Sequence, residues 1–366
     1  MNVPKLRFKE FNDTWKKIQL SSFVNINPQN DSLPEKFIYI DLESVNNGLL
    51  TSRKIINRAE APSRAKRTII KNDILYQTVR PYQMNNLFIN SLDSDYPYIA
   101  STGYALLRTK ENPYFVYSIL HQKSFVNKVL DMCTGTSYPA INATDLGKIS
   151  VGLPSIKEQE KISRTLELLD KKIELQTKKI EDLKLFKLCN YDNLFSNQTH
   201  EVQLKNISKI EKGKQLNNEL LIENGSYYML NGGVSPSGYT NEYNANENTI
   251  TISEGGNSCG YVNFNKNKFW CGGHCYKVIP NGINNNYLYH NLKYNEKKIM
   301  DLRVGSGLPN IQKKDIENFK ISIHNENEQL KISNYFDRYD LKIELEELKL
   351  NKLIELKKGL MQNMFV

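Results

Sequence analysis

The stretch Gly135-Thr-Ser-Tyr-Pro-Ala-Ile141, continued through Glu158-Gln159 and Lys161-Ile162-Ser163 to Phe195, occurs twice in this chain. It returns without a gap as Gly305-Ser-Gly-Leu-Pro-Asn-Ile311, then Glu328-Gln329 and Lys331-Ile332-Ser333, ending at Phe365. Asp145, Asp170 and Lys172-Ile173-Glu174-Leu175 likewise return as Asp315, Asp340 and Lys342-Ile343-Glu344-Leu345. About a third of the positions from 135 to 195 are identical to those from 305 to 365, so the chain contains two copies of one unit. Each copy predicts a glycine-proline loop, a strand (149–153 or 319–323) and a long helix. The helices open on Ser155-x-x-Glu158 and Asn325-x-x-Glu328, each read as a capping box whose first side chain caps free N–H groups while the Glu reaches back.

Apolar residues repeat along both helices at alternating spacings of four and three. Ile162, Leu166, Leu169, Ile173, Ile180 and Leu183 mark the first, with Gln176 at the one gap. Ile332, Phe336, Tyr339, Ile343, Leu350 and Leu353 mark the second, with Glu346 at the equivalent gap. This is a coiled-coil seam. Some 40 residues of helix, about 60 Å, are too long for one small globule to cover, so the two helices are expected to pair with each other.

Short β-rich runs precede each repeat: 37–42, 68–70, 74–79 and 104–108 in the first unit, 226–230, 249–253, 260–264 and 274–279 in the second. A helical stretch follows each set, at 113–130 and 286–302. The openings of the units share a beat, Ile18-Gln19-Leu20 against Val202-Gln203-Leu204, and the first globule is about 14 residues longer. The expected fold is α+β: two mixed α/β globules in pseudo-twofold arrangement, separated by two long helices that form a coiled coil. The division is 1–154, a helix over 155–196, 197–324, and a helix over 325–366.

The chain has 366 residues and a net charge of +9. Residues 1–154 hold 19 Lys/Arg against 13 Asp/Glu and residues 197–324 hold 14 against 11, whereas the helical segments sum to zero. The excess charge therefore lies on the globules, where a polyanion would be gripped. Five cysteines, an odd number, do not make a disulfide framework and fit a reducing cytoplasm. No apolar run reaches the roughly 18 residues of a membrane span.

Two groups look like chemistry. Asn112-Pro113-Tyr114-Phe115 approaches the catalytic motif of amino-methyltransferases, but the second proline is missing and no glycine-rich cofactor turn precedes it. A helix start with Pro in its first turn is the better account. Cys259, Cys271, His274 and Cys275 lie within 17 residues, yet their spacing is not that of a standard zinc knuckle. Neither a phosphate-binding Gly-x4-Gly-Lys loop nor a nucleophile elbow is present. Catalytic residues, metal ligands and a cofactor of the chain's own are therefore not expected.

Three features carry a family resemblance: the opening Pro4-Lys-Leu-Arg-Phe8 with Phe11 and Trp15; the strand Asp73-Ile-Leu-Tyr-Gln-Thr-Val-Arg-Pro-Tyr82; and the Gly-Thr/Ser-x-x-Pro-x-Ile loop leading through Pro154 to Glu158-Gln159. Over essentially its whole length the chain resembles the DNA-specificity subunit of type I restriction-modification systems. The resemblance implies two target-recognition domains, each reading half of a split DNA site, held by two antiparallel helices. It implies two methyltransferase subunits that bind S-adenosylmethionine and methylate adenine, and two restriction subunits that use ATP and Mg. One departure is Ile323-His324 in place of Leu-Pro before the second helix, whose start is expected intact because Asn325 and Glu328 remain.

Candidate DNA contacts in the first unit are Arg53, Lys54, Arg58, Arg64, Lys66, Arg67 and Lys71, suited to phosphates, with Arg80 and Tyr82 placed to reach bases. In the second they are Lys212, Lys214, Ser253, Asn257, His274 and Arg303, near the Gly255-Gly256 and Gly272-Gly273 turns. For any one of these a solvated surface role serves as well; the collection carries the reading. Two rivals remain: a self-contained methyltransferase or nuclease with duplicated DNA-binding domains, and a coiled-coil adaptor without a DNA role.

Overall fold

The computed structural model describes residues 3–29, 32–135, 137–196, 200–305, 307 and 309–366. Thr136, Ser306 and Leu308 of the repeated loop, and 197–199 at the start of the second globule, lie outside the described residues. Contacts divide the chain into two compact units, one of residues 1–175 with 350–366 and one of residues 176–349.

In the first unit the strands alternate, and the alternation builds two cores. One four-stranded sheet runs Val24–Ile26, Tyr104–Thr109, Ile74–Gln77, Leu87–Phe88. Ile74, Tyr76, Ala105 and Leu107 point one way, into a core shared with helices Pro113–Leu120 and Lys123–Asp131. Leu75, Tyr104 and Leu106 point the other way, onto Ile38, Ile40, Ile69, Tyr98 and Ala100 of a second sheet. That sheet runs Lys54–Asn57, Lys36–Ile40, Tyr98–Ser101, Ala65–Ile69. Its outer face buries Phe37, Tyr39, Ile56 and Ile99. Two-residue periodicity is what lets one strand serve both cores.

The second unit repeats this plan. Its four-stranded sheet has the same order: Ser208–Lys212, Cys275–Pro280, Thr249–Ser253, Val262–Asn265. Its other sheet has three strands, Gly238–Thr240, Tyr227–Leu230 and Trp270–Cys271. In both units the second sheet holds one parallel pair, Lys36–Ile40 with Tyr98–Ser101 and Tyr227–Leu230 with Trp270–Cys271. The strand Ala65–Ile69 has no counterpart in the three-stranded sheet, so part of the extra length of the first globule is an added edge strand.

The expected strands form at or within a few residues of their sequence positions. Tyr98–Ser101 and Val24–Ile26 were not read from sequence, nor were the short helices Ala143–Lys148 and Lys313–Asn318. The expected helix over 113–130 is two helices. His121 Nδ1–H donates at 2.8 Å to the Tyr117 carbonyl, the acceptor that a continuing helix would offer the His121 N–H; that N–H instead donates to Ser118 O at 3.2 Å. The stretch over 286–302 likewise breaks, into Asn285–Tyr294 and Glu296–Met300, at Asn295, whose side chain bonds the Asn291 carbonyl at 3.0 Å.

The long helices are Ile156–Phe195 and Glu326–Asn363. They pair antiparallel, since rising numbers on one meet falling numbers on the other. Asp170 bridges Lys357 at 2.5 Å in the first unit, and the repeat-equivalent Asp340 bridges Lys187 in the second. Gln176 donates to the Glu346 carboxylate at 2.7 Å, joining the two residues that fill the matching gaps in the seam. Among seam positions Ile162, Leu166, Leu169, Ile180, Ile332, Phe336 and Ile343 are buried, and Ile173, Leu183, Tyr339, Leu350 and Leu353 are half-buried.

The ends of the seam pack into globule cores. Ile162 and Leu166 join Trp15, Phe115, Met364 and Phe365, with Phe365 stacked on Phe115 at 5.3 Å and edge-on to Trp15 at 6.3 Å. Ile332 and Phe336 join Tyr191, Phe195 and Tyr287. Repeat-equivalent rings, Phe195 and Phe365, therefore close the two units.

The second helix starts with the expected capping box. Glu328 N–H donates to Asn325 Oδ1 at 3.0 Å, and Asn325 Nδ2 donates to Glu328 Oε2 at 2.8 Å. The first start differs from expectation: Glu158 does not close a box, because its buried carboxylate accepts Arg7 Nε and Nη2, both at 2.8 Å, and Trp15 Nε1 at 3.3 Å. Both starts share another clamp. Gln159 Nε2 donates to Pro154 O at 3.0 Å while its oxygen accepts the Asn112 N–H at 3.2 Å, and Gln329 does the same with His324 O at 2.9 Å and Asn284 N–H at 3.2 Å.

Replacing Phe365 by Ala is expected to destabilise the first unit by roughly 3–5 kcal/mol, the usual cost of emptying a buried aromatic site, read as a lowered urea midpoint. A second expectation concerns Glu346. Hydrogen bonds from Gln176, Lys179 and Lys349 hold its pKa down to about 2. A lowered folded pKa means that its contribution is complete above the ordinary glutamate range, near pH ~4.3, and is lost as pH falls towards about 2. Glu346→Gln should flatten stability against pH across that window, measured by urea titrations at stepped pH.

Candidate nucleic-acid interface

In both units the middle strand of the shared sheet leaves its pairing and meets the repeated loop. In the first, Ile141 N–H donates to Thr78 O at 3.0 Å and Arg80 N–H to Pro139 O at 2.7 Å. In the second, Ile311 N–H donates to Glu254 O at 2.9 Å and Gly256 N–H to Pro309 O at 3.0 Å. Isolated bridges Val79–Ala140 and Gly255–Asn310 complete the match. Arg80 and Gly256 therefore occupy the same place, and both have positive φ, 53° and 75°. The backbone platform is common, and the side chains on it differ.

The first platform carries Arg80, whose guanidinium lies 4.3 Å from the centre of the Tyr138 ring. Tyr82 and Met84 stand exposed beside it. The turn is fixed from beneath by Gln77 and Asn86, both buried. Gln77 N–H donates to Asn86 Oδ1 at 2.8 Å, and Gln77 Nε2 donates to Val79 O at 2.7 Å. Sequence reading picked out Arg80 and Tyr82 but missed Gln77, Asn86 and Tyr138. The repeated loop contains Tyr138, and its conjunction with the strand exit was the signal.

The second platform carries Lys212 and His274 around the carboxylate of Glu254, which also escaped the sequence reading. Lys212 Nζ lies 2.5 Å from Oε1, Tyr276 donates its hydroxyl to Oε1 at 2.8 Å, and His274 Nδ1 lies 3.5 Å from Oε2. Burial pushes the Glu254 pKa up, but the hydrogen bonds from Lys212 and Tyr276 and the charges of Lys212 and His274 outweigh it and leave it lowered. His274 is exposed, as are Lys214, Asn257 and Arg303. Ser253 must be set aside: it is buried at the last paired position of Thr249–Ser253, opposite Cys275.

The basic stretch of the first unit does not form one patch. Lys54 lies on one edge strand of the second sheet and Lys66 and Arg67 on the other, with two strands between. Arg53 is exposed and paired with Asp93 at 3.0 Å. Arg58 and Lys66 line one groove with Leu33 and Pro62. Arg64 and Lys71 are exposed, whereas Arg67 is half-buried and its pKa is lowered by burial.

Asn112 serves as a helix N-cap, accepting the Phe115 N–H at 2.9 Å, and Asn284 does the same for Tyr287. Cys259, Cys271 and Cys275 are buried free thiols. No group of three or more His, Cys, Asp or Glu side chains placed to hold a metal ion occurs among the described residues. Nor is any described helix long and apolar enough to cross a membrane.

One globule built twice, with a common backbone platform and different side chains on it, defines a duplicated α+β protein organised round an antiparallel helix pair. The chain belongs to the family described as type I restriction modification DNA specificity domain, which matches residues 12–185 and 197–356. It is 36% identical over 172 residues to a protein of Mycoplasma pneumoniae named as a type I specificity subunit, covering 46% of this chain and 44% of that one. A similarly named protein of Mycoplasma genitalium is 34% identical over 155 residues, 41% and 39% of the two chains. The type I restriction enzyme HindI specificity subunit of Haemophilus influenzae is 30% identical over 147 residues, 38% and 31%. The matches thus span less than half the length of these relatives. The fold is that of the S subunit of the M. genitalium type I restriction-modification system, with a TM-score of 0.70 at 20% identity over 100% of this chain and 99% of that one. A chain from a structure of a type I system gives 0.58 at 21% identity, over 95% and 96%.

Glu254→Ala would take the carboxylate from the Tyr276 hydroxyl, which keeps Ile311 O at 3.2 Å, and leave Lys212 without its counter-ion. The expected cost is about 0.5–1.5 kcal/mol, the usual net worth of one intramolecular hydrogen bond, measured by urea unfolding.

Proposed function

We propose that this chain is the sequence-specific DNA-recognition subunit of a type I restriction-modification complex. It would have no catalysis or cofactor of its own and would act in the cytoplasm. The globules at 1–154 and 197–324 would each read one half of a split site, and the helices at 155–196 and 325–366 would separate the readers. The observation that carries this reading is the repeated strand-exit platform, which places Arg80 in one unit where the other has Gly256. A shared frame with different side chains suits two unlike half-sites.

Arg53, Lys54, Arg58, Arg64, Lys66, Arg67 and Lys71 would neutralise phosphates. Tyr82 with Arg80, and Lys212, Lys214, Asn257, His274 and Arg303 on the second unit, stand at or near the turns that would meet bases. Exposed apolar residues on the long helices, among them Leu168, Leu175, Leu341 and Leu345, would dock two methyltransferase subunits that carry S-adenosylmethionine. Two restriction subunits using ATP and Mg would complete the assembly.

The test is to map methylated adenines in DNA from cells expressing this chain with its partner subunits. The expected site is bipartite and asymmetric, its half-site centres about one helical turn of 10–10.5 base pairs apart. Exchanging residues 25–130 for the same segment of another family member should change one half only. A continuous or palindromic site would refute this reading. S-adenosylmethionine binding by the isolated chain would favour a self-contained enzyme, and duplex binding insensitive to salt would favour an adaptor.

A further inference from the structure

The turn that leaves the strand Ile74–Gln77 offers hydrogen-bond donors, and we propose that it selects a guanine in the half-site read by the first unit. This rests on the recognition function proposed above and names the base chemistry of one reader.

Backbone partners fix the orientation of the supporting amide. Gln77 Oε1 accepts the Asn85 N–H at 3.1 Å, so the other end of that amide is its NH2 group, which donates to Val79 O at 2.7 Å and Gln83 Oε1 at 2.8 Å. A backbone N–H cannot accept and a carbonyl cannot donate, so this arrangement cannot be reversed. The orientation passes to Gln83: its oxygen is held by Gln77, and its own NH2, the end of an exposed side chain, has no partner among the described residues.

Arg80, three residues earlier, also has only donors. It is held in the left-handed region, φ 53° and ψ 55°, which few residues other than glycine adopt. Its N–H is tied to Pro139 O and its guanidinium stacks on Tyr138. Its Nε is buried without a partner among the described residues. A non-glycine residue kept in such a conformation by surrounding bonds is a mark of a functional turn. Met84, at the other end of the turn, has φ 52°. No acidic residue occurs from Ile74 to Leu92, so nothing in the segment repels a polyanion.

In the major groove guanine shows two acceptors, N7 and O6, side by side. Adenine and cytosine each show an amino donor, and thymine pairs one acceptor with a methyl group. Donors from Arg80 and Gln83 therefore suit guanine, and their fixed geometry lowers the ordering cost of binding. The position equivalent to Arg80 is Gly256, so this device belongs to one unit alone.

The experiment uses the full chain assembled with its methyltransferase subunits, with methylation mapping and duplex competition as readouts. The half-site that follows residues 25–130 on exchange should contain a guanine. Replacing that base by 7-deazaguanine, which lacks the N7 acceptor, should weaken binding about tenfold or more. Arg80→Lys removes the fork, and Gln83→Glu keeps an inward oxygen for Gln77 while turning an acceptor outward. Each should reduce discrimination at that guanine by about ten- to hundredfold and leave the other half-site unchanged. Because Gln83 is exposed and the change isosteric, this variant keeps the test sharp if Arg80→Lys does not fold. A half-site without guanine would overturn the inference. So would variants that weaken all sequences equally with the motif intact, since that is how a phosphate contact behaves. A wild-type complex that methylates no bipartite site would refute the recognition function itself.

Discussion

Everything in this fold depends on covering two helices that cannot cover themselves. A 40-residue amphipathic helix must place its apolar stripe against something. Here the stripe is shared between two kinds of neighbour. In the middle it meets the other long helix, and at its ends it enters a globule core. Phe195 and Phe365 are the last aromatic residues of the repeat; Phe365 finishes a cluster with Trp15 and Phe115 of the globule, and Phe195 one that joins Tyr287 of the globule to Tyr191 and Phe336 of the helices. Buried rings at edge-on and offset geometries add about 0.5–1.5 kcal/mol per pair beyond their area. The globules are therefore not beads strung on a rod; the helix ends are part of their cores.

The polar contacts along the pair follow the duplication. Asp170 with Lys357 and Asp340 with Lys187 are the same bridge made twice. At the centre the repeat partners Gln176 and Glu346 meet, and Lys179 and Lys349, also repeat partners, converge on the one carboxylate at 2.9 and 3.1 Å. A buried carboxylate with three donors is tolerable where an unpaired one would not be. Exposed bridges such as Lys184 with Glu347 add little, because water screens them.

Local signals were legible in the sequence, and long-range ones were not. The seam, the capping box at Asn325 and the strands over 74–77 and 249–253 follow from spacing within a few residues. Ser155-x-x-Glu158 has the same local pattern, yet Arg7 and Trp15, more than 140 residues away, claim its carboxylate. The helix over 113–130 divides at His121, where the backbone N–H turns to Ser118 O and the ring bonds the Tyr117 carbonyl, contacts that apolar spacing does not announce. The basic residues from Arg53 to Lys71 are neighbours in sequence, whereas strand order puts Lys54 and Arg67 on opposite sheet edges. Ser253 was a fair surface candidate until pairing with Cys275 enclosed it. At the platforms the sequence supplied Arg80 and His274, but not the buried Gln77 and Glu254 that orient them.

The division of the chain has a consequence for the order in which it matures on the ribosome. The second unit is one continuous run, 176–349, whereas the first takes residues 350–366 from far along the chain. Domains emerging from synthesis generally fold from the N-terminal side first. Here the earlier-made globule must keep the Trp15 and Phe115 rings partly uncovered while the later one is synthesised, because Met364 and Phe365 follow it in the chain. A chain interrupted before 364 would thus present an open apolar face on its first globule while its second could be complete. Met364 and Phe365, just past the helix Glu326–Asn363, thus seal the globule that was begun first.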